Sequence, residues 1–148
     1  MTSFVVGGRT IDLPAVPCAR EASKDAGAWT NGEWATVRLM GCVEALRVHT
    51  DGRRIDARGV DPSRASGSWI LIGDGVHTSS QVVQGRALPG LFTHVSGVEV
   101  LPGTVLNIGT CGPLFGQPGG GWQAEHVSGP WPRFSHLPNV WMNRSGSA

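Results

Sequence analysis

With 148 residues, 40% of them hydrophobic, the chain suits one globular domain around a single core and is too apolar for a disordered segment. A formal net charge of +1 argues against the strongly basic face of a nucleic-acid-binding protein, and no run of about 18 apolar residues is present to insert into a membrane. The 22 glycines and 10 prolines suit a turn-rich β protein better than a helical one.

Taken in chain order, "SFVVGGRTIDLPAV" reads as two short strands around Gly7-Gly8, closed by Pro14 and Pro17. "AREASKDAG", residues 19–27, is the best helical candidate, with Gly27 placed to end it. "EWATVRLMGCVEALRVHT", residues 33–50, mixes helical and β-branched residues and favours one or two strands ending at Asp51-Gly52. "SWILIGDGVHT" gives a strand and then a turn at Gly73-Asp74-Gly75. "THVSGVEVLPGTVLNIGTCG" gives two more strands with Pro102-Gly103 between them. Residues 129–148, with Pro130, Pro132 and Pro138, read as a surface tail pinned by Trp131, Phe134 and Trp141, and the closing "SGSA" as disordered. The sum is a mainly β fold (α+β with little helix): a single compact antiparallel β domain over residues 1–148 with one or two short helices. There is no internal repeat and no linker.

Cys18, Cys42 and Cys111 are odd in number and form no C-x-x-C pair, so they read as mostly buried thiols in a reducing compartment. A Cys18–Cys42 disulfide is compatible with the sequence but is not argued by it. "MTSFVVGGRTIDLP" lacks the positive and apolar regions of a Sec signal, which points to a cytoplasmic protein or to one delivered or secreted by a non-Sec route.

The stretch richest in functional groups is "FGQPGGGWQAEH", residues 115–126. Gly119, Gly120 and Gly121 let a backbone pass close to a flat or charged ligand, or equally form a β-bulge or a tight crossing of strands. No Lys-Ser/Thr follows, so this is not a P-loop, and no G-x-G-x-x-G opens a helix, so it is not a dinucleotide fingerprint.

"GPLFGQPGGGWQ" resembles the signature of the tuberculosis necrotizing toxin family of NAD glycohydrolases, whose members carry a similar Phe-Gly-Gln-Pro-Gly-Gly-Gly-x-Gln run. "LPGTVLNIGTCGP" resembles the strand pair leading into that run, "GRALPG" the family's Arg-x-Leu-Pro-Pro segment, and "FTHVSGVEVLPG" its Tyr-His-Val-Tyr-Glu-Val strand. "IDARGVDPSRASGSWILIGDG" weakly resembles its Asp-Arg-Phe-Gly opening and the apolar strand after it. The likeness covers about residues 53–126, leaving out the first 50 residues and the last 20. His94 lies 29 positions before Gln123, and Arg58 lies 36 before His94, intervals similar to those between the family's active-site Arg, His and Gln. The chain departs from the pattern in "DARG", which lacks the aromatic residue, in "SGVEV", and in having no tyrosine at all.

What the resemblance implies is NAD glycohydrolase activity: NAD(P) is the substrate rather than a cofactor, and its nicotinamide–ribose bond is cleaved through an oxocarbenium-like transition state. Gln123, His94 and Arg58 are the implied catalytic residues. Arg58 offers a planar fork to the pyrophosphate, with a surface salt bridge as the plainer alternative. Gln123 offers a donor and an acceptor to a ribose hydroxyl or the carboxamide. His94 sits among β-branched residues and reads equally as a satisfied core histidine. Gly119, Gly120, Gly121, Phe115, Trp69, Arg86 and Glu125 complete the substrate-binding set, the rings by stacking on the ligand, although filling the core is the commoner role of such rings. The family also implies a toxin role and an immunity protein as partner. Two alternatives stand beside this reading. "Gln123-Ala124-Glu125" has the Gln-x-Glu spacing of some ADP-ribosyltransferases and puts both side chains on one face of a strand. A non-catalytic NAD- or partner-binding β domain is the other. Five scattered histidines show no metal-ligand spacing, and there is no G-x-S-x-G elbow.

Overall fold

A computed structural model of the protein describes residues 1–49, 69–73, 94–113, 119–134 and 140–141. Strands β1 (Thr2–Val6) and β2 (Arg9–Leu13) form a hairpin in which Val6 faces Arg9. Its turn residues, Gly7 and Gly8, both have positive φ (61° and 77°), the combination that a two-residue hairpin turn with the strands' own twist demands.

The remaining strands are β3 (Ala15–Pro17), β4 (Ala35–Leu39), β5 (Val43–His49), β6 (Trp69–Leu71), β7 (His94–Val100), β8 (Val105–Thr110), β9 (Trp122–Ser128), β10 (Arg133–Phe134) and β11 (Val140–Trp141). They pair in one antiparallel sheet in the order β10-β7-β5-β6-β9-β8-β4-β3, with β11 also on β7. The mainly β, antiparallel expectation therefore holds. The two strands on either side of Pro102-Gly103 do not pair with each other: β7 joins β5, and β8 joins β4 and β9. The turn between them instead caps β4, with Gly103 N–H donating to Leu39 O at 2.8 Å and Leu39 N–H to Thr104 O at 2.9 Å. Part of the expected surface tail is structural, because β10 and β11 extend the sheet along the outer edge of β7.

One face of the sheet carries Val37, Leu39, Ile70, Leu106, Ile108, Trp122 and Ala124, packed with Val6, Ile11 and Leu13 of the hairpin into a single apolar core. The opposite face of β4, β8 and β9 is covered by residues 18–34. That is why β8 is buried at all six positions, and β9 at its first five, where a half-exposed strand would alternate.

The helix expected over residues 19–27 is not formed. In its place are an extended strap and two 3-10 turns, Ala26–Ala28 and Thr30–Gly32. The cause lies in the backbone N–H groups. That of Glu21 donates to Thr36 Oγ1 and that of Lys24 to Glu125 Oε2, both at 2.9 Å, so side chains of the sheet take the donors that a helix would use internally. Asp25 then caps the first 3-10 turn through Gly27 N–H, and Gly27 lies inside that turn rather than ending a helix. The cysteine expectation also needs correcting: Cys111 is buried, Cys18 is half-buried and Cys42 is exposed. The expected turns at Asp51-Gly52 and Gly73-Asp74-Gly75 fall wholly or partly outside the described residues, as does the closing "SGSA". Among the described residues no helix is long and apolar enough to cross a membrane.

Candidate functional site

The Gly-rich run leads into β9. Cys111, at the end of β8, accepts a hydrogen bond from Gly120 N–H at 2.7 Å and donates to Gly121 O at 2.8 Å. Two glycines thus oppose one residue, with Gly120 at φ 97°, which is the geometry of a glycine β-bulge. Gly119, at φ 76°, crosses the backbone of residues 111–112 so closely that an added Cβ would lie 2.6 Å from Gly112 O and nearer still to Cys111 O. Gly120 is exposed, and a Cβ there would meet nothing within 4 Å. One glycine serves the strand crossing, and its neighbour faces open space.

Downstream of the bulge, Gln123 and Glu125 share the strap-covered face of β9. Gln123 is 8% exposed, and its Nε2 donates to Ala28 O at 3.0 Å. A carbonyl acceptor at that position fixes which end of the amide faces it. The Gln123 amide oxygen takes part in no hydrogen bond among the described residues. Glu125 is 1% exposed and both of its carboxylate oxygens are engaged: Oε1 by Asn107 Nδ2 at 3.0 Å, Oε2 by Lys24 N–H at 2.9 Å. Asn107 in turn accepts from Thr36 Oγ1 at 2.6 Å and donates to Ala22 O at 3.3 Å. This buried chain of hydrogen bonds holds the strap onto the sheet.

Trp69 pairs with Glu125 in register across β6 and β9, and its ring stands 5.5 Å from that of Trp29 at 48°. Trp29 is almost wholly buried and lies over Gly109, where an added Cβ would meet its Cε3 at 2.7 Å. Because Gly109 registers with Gln123, the indole of Trp29 forms a wall beside that amide. His94 opens β7, in register with His49, and β5 and β6 lie between its strand and β9. At about 4.8 Å per strand that is roughly 14 Å across the sheet. Arg58, Arg86 and Phe115 lie outside the described residues. Of the sequence-derived set, the structure therefore brings together Gly119, Gly120, Gly121, Gln123, Glu125 and Trp69.

The chain is similar in fold to Tne2. The likeness is to Tne2 as solved in complex with Tni2, at a TM-score of 0.65 and 16% sequence identity, covering 76% of this chain and 94% of that one. No protein-family model matches the chain, and no curated protein sequence matches it.

Sequence reasoning missed Arg9, Trp29 and Asn107. Arg9 Nη1 donates to Gly120 O at 2.5 Å, and its guanidinium lies 5.9 Å from the Trp122 ring centroid. Asn107 was detectable as the one amide inside the apolar run "TVLNIGT". Arg9 and Trp29 carried no signal, since both lie outside the segment with the family resemblance.

Proposed function

We propose that this domain is an NAD(P) glycohydrolase that releases nicotinamide and ADP-ribose. The observation carrying the reading is Gln123: the last residue of a Gly-rich run resembling a glycohydrolase signature, set on β9 just past a glycine bulge, nine-tenths buried, with an amide oxygen that no donor among the described residues uses. Such an acceptor suits a ribose hydroxyl, or the partial positive charge that develops at the ribose as the glycosidic bond lengthens. Nicotinamide is a good leaving group, so the site needs to bind, orient and admit water more than to supply a strong acid. Arg58 and Arg86 are the proposed pyrophosphate contacts, and Trp69 and Phe115 the stacking surfaces; His94, catalytic in the resemblance, opens a strand three positions from β9 and so stands apart from Gln123. The fold shared with Tne2 supports this reading. So does the family resemblance, which extends it to a toxin neutralised by an immunity protein; Tne2 too is seen bound to a second protein, Tni2.

The hydrolase reading is favoured over the transferase one by Glu125. A transferase glutamate must reach the ribose or the acceptor, yet both oxygens of Glu125 are committed to the strap. Incubating purified protein with NAD and following nicotinamide release tests the proposal. Free ADP-ribose in equal amount is expected. ADP-ribose attached to a protein acceptor, or no release at all, would overturn it.

A further inference from the structure

The N-terminal hairpin lies outside the region of family resemblance, yet its first residue after the turn touches the Gly-rich run. We propose that Arg9 is a positioning residue that locks the orientation of the Gly120–Gly121 peptide, so that the loop presents an N–H rather than a carbonyl to an anionic substrate. The substrate class rests on the NAD(P) reading above; the locking itself does not.

A peptide between two glycines is unusual in that it can flip at little cost, because both residues accept φ of either sign. Hydrogen bonds therefore decide its orientation. Gly120 O accepts from Arg9 Nη1 at 2.5 Å, a charge-assisted bond. In a trans peptide the following N–H, that of Gly121, points the opposite way. Gly121 is buried, and its N–H donates to no acceptor among the described residues, whereas Gly120 N–H and Gly121 O are both held by Cys111. A buried donor with no acceptor among the described residues suits an acceptor on a ligand. In the flipped peptide the carbonyl would take its place and set a negative dipole end toward a pyrophosphate or ribose oxygen.

Arg9 is itself held. Its hairpin turn is fixed by Gly7 N–H donating to Glu33 Oε2 at 3.2 Å, and its guanidinium rests over Trp122. A Cβ on Gly7 would meet Thr110 Oγ1 at 2.6 Å, so the hairpin tip seats directly on the end of β8, one residue from Cys111. Arg9 thus reaches the loop from a base that is anchored independently of it.

The test compares the parent with Arg9→Ala and Arg9→Lys, using amide NMR of the ligand-free proteins, NAD calorimetry and steady-state kinetics. In Arg9→Ala the Gly121 amide resonance should shift or split and its hydrogen exchange quicken. The Kd and KM for NAD should rise about tenfold, the scale of one charge-assisted hydrogen bond, while kcat changes little. Arg9→Lys keeps a cationic donor and should restore most of both. A Gly121 resonance unmoved in Arg9→Ala overturns the proposal even if affinity falls, because Arg9 would then act by touching substrate directly. If the parent itself neither binds nor cleaves NAD, the glycohydrolase reading fails alone, and the ligand-free resonance still decides whether Arg9 locks the peptide.

Discussion

Gln123 and Glu125 sit two residues apart on one face of β9, both buried beneath the same strap, and they are satisfied to very different degrees. Glu125 ends a closed chain of hydrogen bonds through Asn107 to Thr36 and takes a backbone N–H from Lys24. The Gln123 side chain makes one bond among the described residues, to Ala28 O, and its oxygen takes part in none there. The Gln123 end is also where the backbone is least ordinary, entered through two glycines at positive φ and steadied by an arginine from another sheet. The difference separates structure from chemistry along a single strand. A fully paired polar group makes the strap cohere with the sheet, whereas an incompletely paired one beside a glycine bulge is what a ligand can complete.

The comparison breaks most severely at Glu125. Replacing it with Ala strips Lys24 N–H and Asn107 of their acceptors and leaves a void, at a cost of about 3–5 kcal/mol. Thermal melting followed by circular dichroism should fall by about 10 °C or more. A melt within a few degrees of the parent would show that the strap is held by something other than this chain of bonds. Gly119→Ala should come next, at about 2–4 kcal/mol, because its methyl group runs into two backbone carbonyls at a φ that L residues avoid. A variant melting like the parent would mean that the backbone at residues 111–112 yields to the added methyl group at little cost.

Gln123→Ala sharpens the contrast from the other side. It forfeits one hydrogen bond, so stability should drop by only about 1 kcal/mol. Nicotinamide release should fall by roughly two orders of magnitude, the scale for one transition-state contact. Full turnover in a folded Gln123→Ala protein would take Gln123 out of the site.

How much of this could be read from the sequence follows the range of each interaction. The hairpin at Gly7-Gly8 was legible because a two-residue turn is a local signal. Strands β4 to β8 were legible from their β-branched runs, whereas β10 and β11 fall in a stretch that reads as a surface tail. The failed helix at residues 19–27 shows the limit: local propensity was overruled by Thr36 and Glu125, which are 15 and 101 residues away from the N–H groups they capture. Within the site, the Gly-rich run and Gln123 stood out by composition. Their different duties did not, because whether a glycine meets a backbone or open space depends on where Cys111 and Gly112 lie. Arg9, 111 residues from the carbonyl it holds, carried no local signal at all.

An equally small expected effect on stability, and the finest division of labour, belongs to Gly120. It neighbours Gly119 and shares its positive φ, yet a Cβ there meets nothing within 4 Å. The Gly120→Ala variant therefore bears only the conformational cost of Ala at φ 97°, about 1 kcal/mol. A domain of this size holds roughly 5–15 kcal/mol and should still melt cooperatively within several degrees of the parent. Open space on the protein side is where a ligand would come. A methyl group on the exposed face of the bulge would intrude on a ribose or pyrophosphate packed at contact distance, and would also resist the peptide orientation that Arg9 selects. NAD affinity measured by calorimetry should therefore fall well beyond what the loss of stability accounts for. The pairing of Gly119→Ala, costly to the fold, with Gly120→Ala, costly to binding, is the outcome that assigns the run both duties. A Gly120→Ala protein that binds NAD as the parent does would reduce the whole run to the strand crossing that Gly119 already explains.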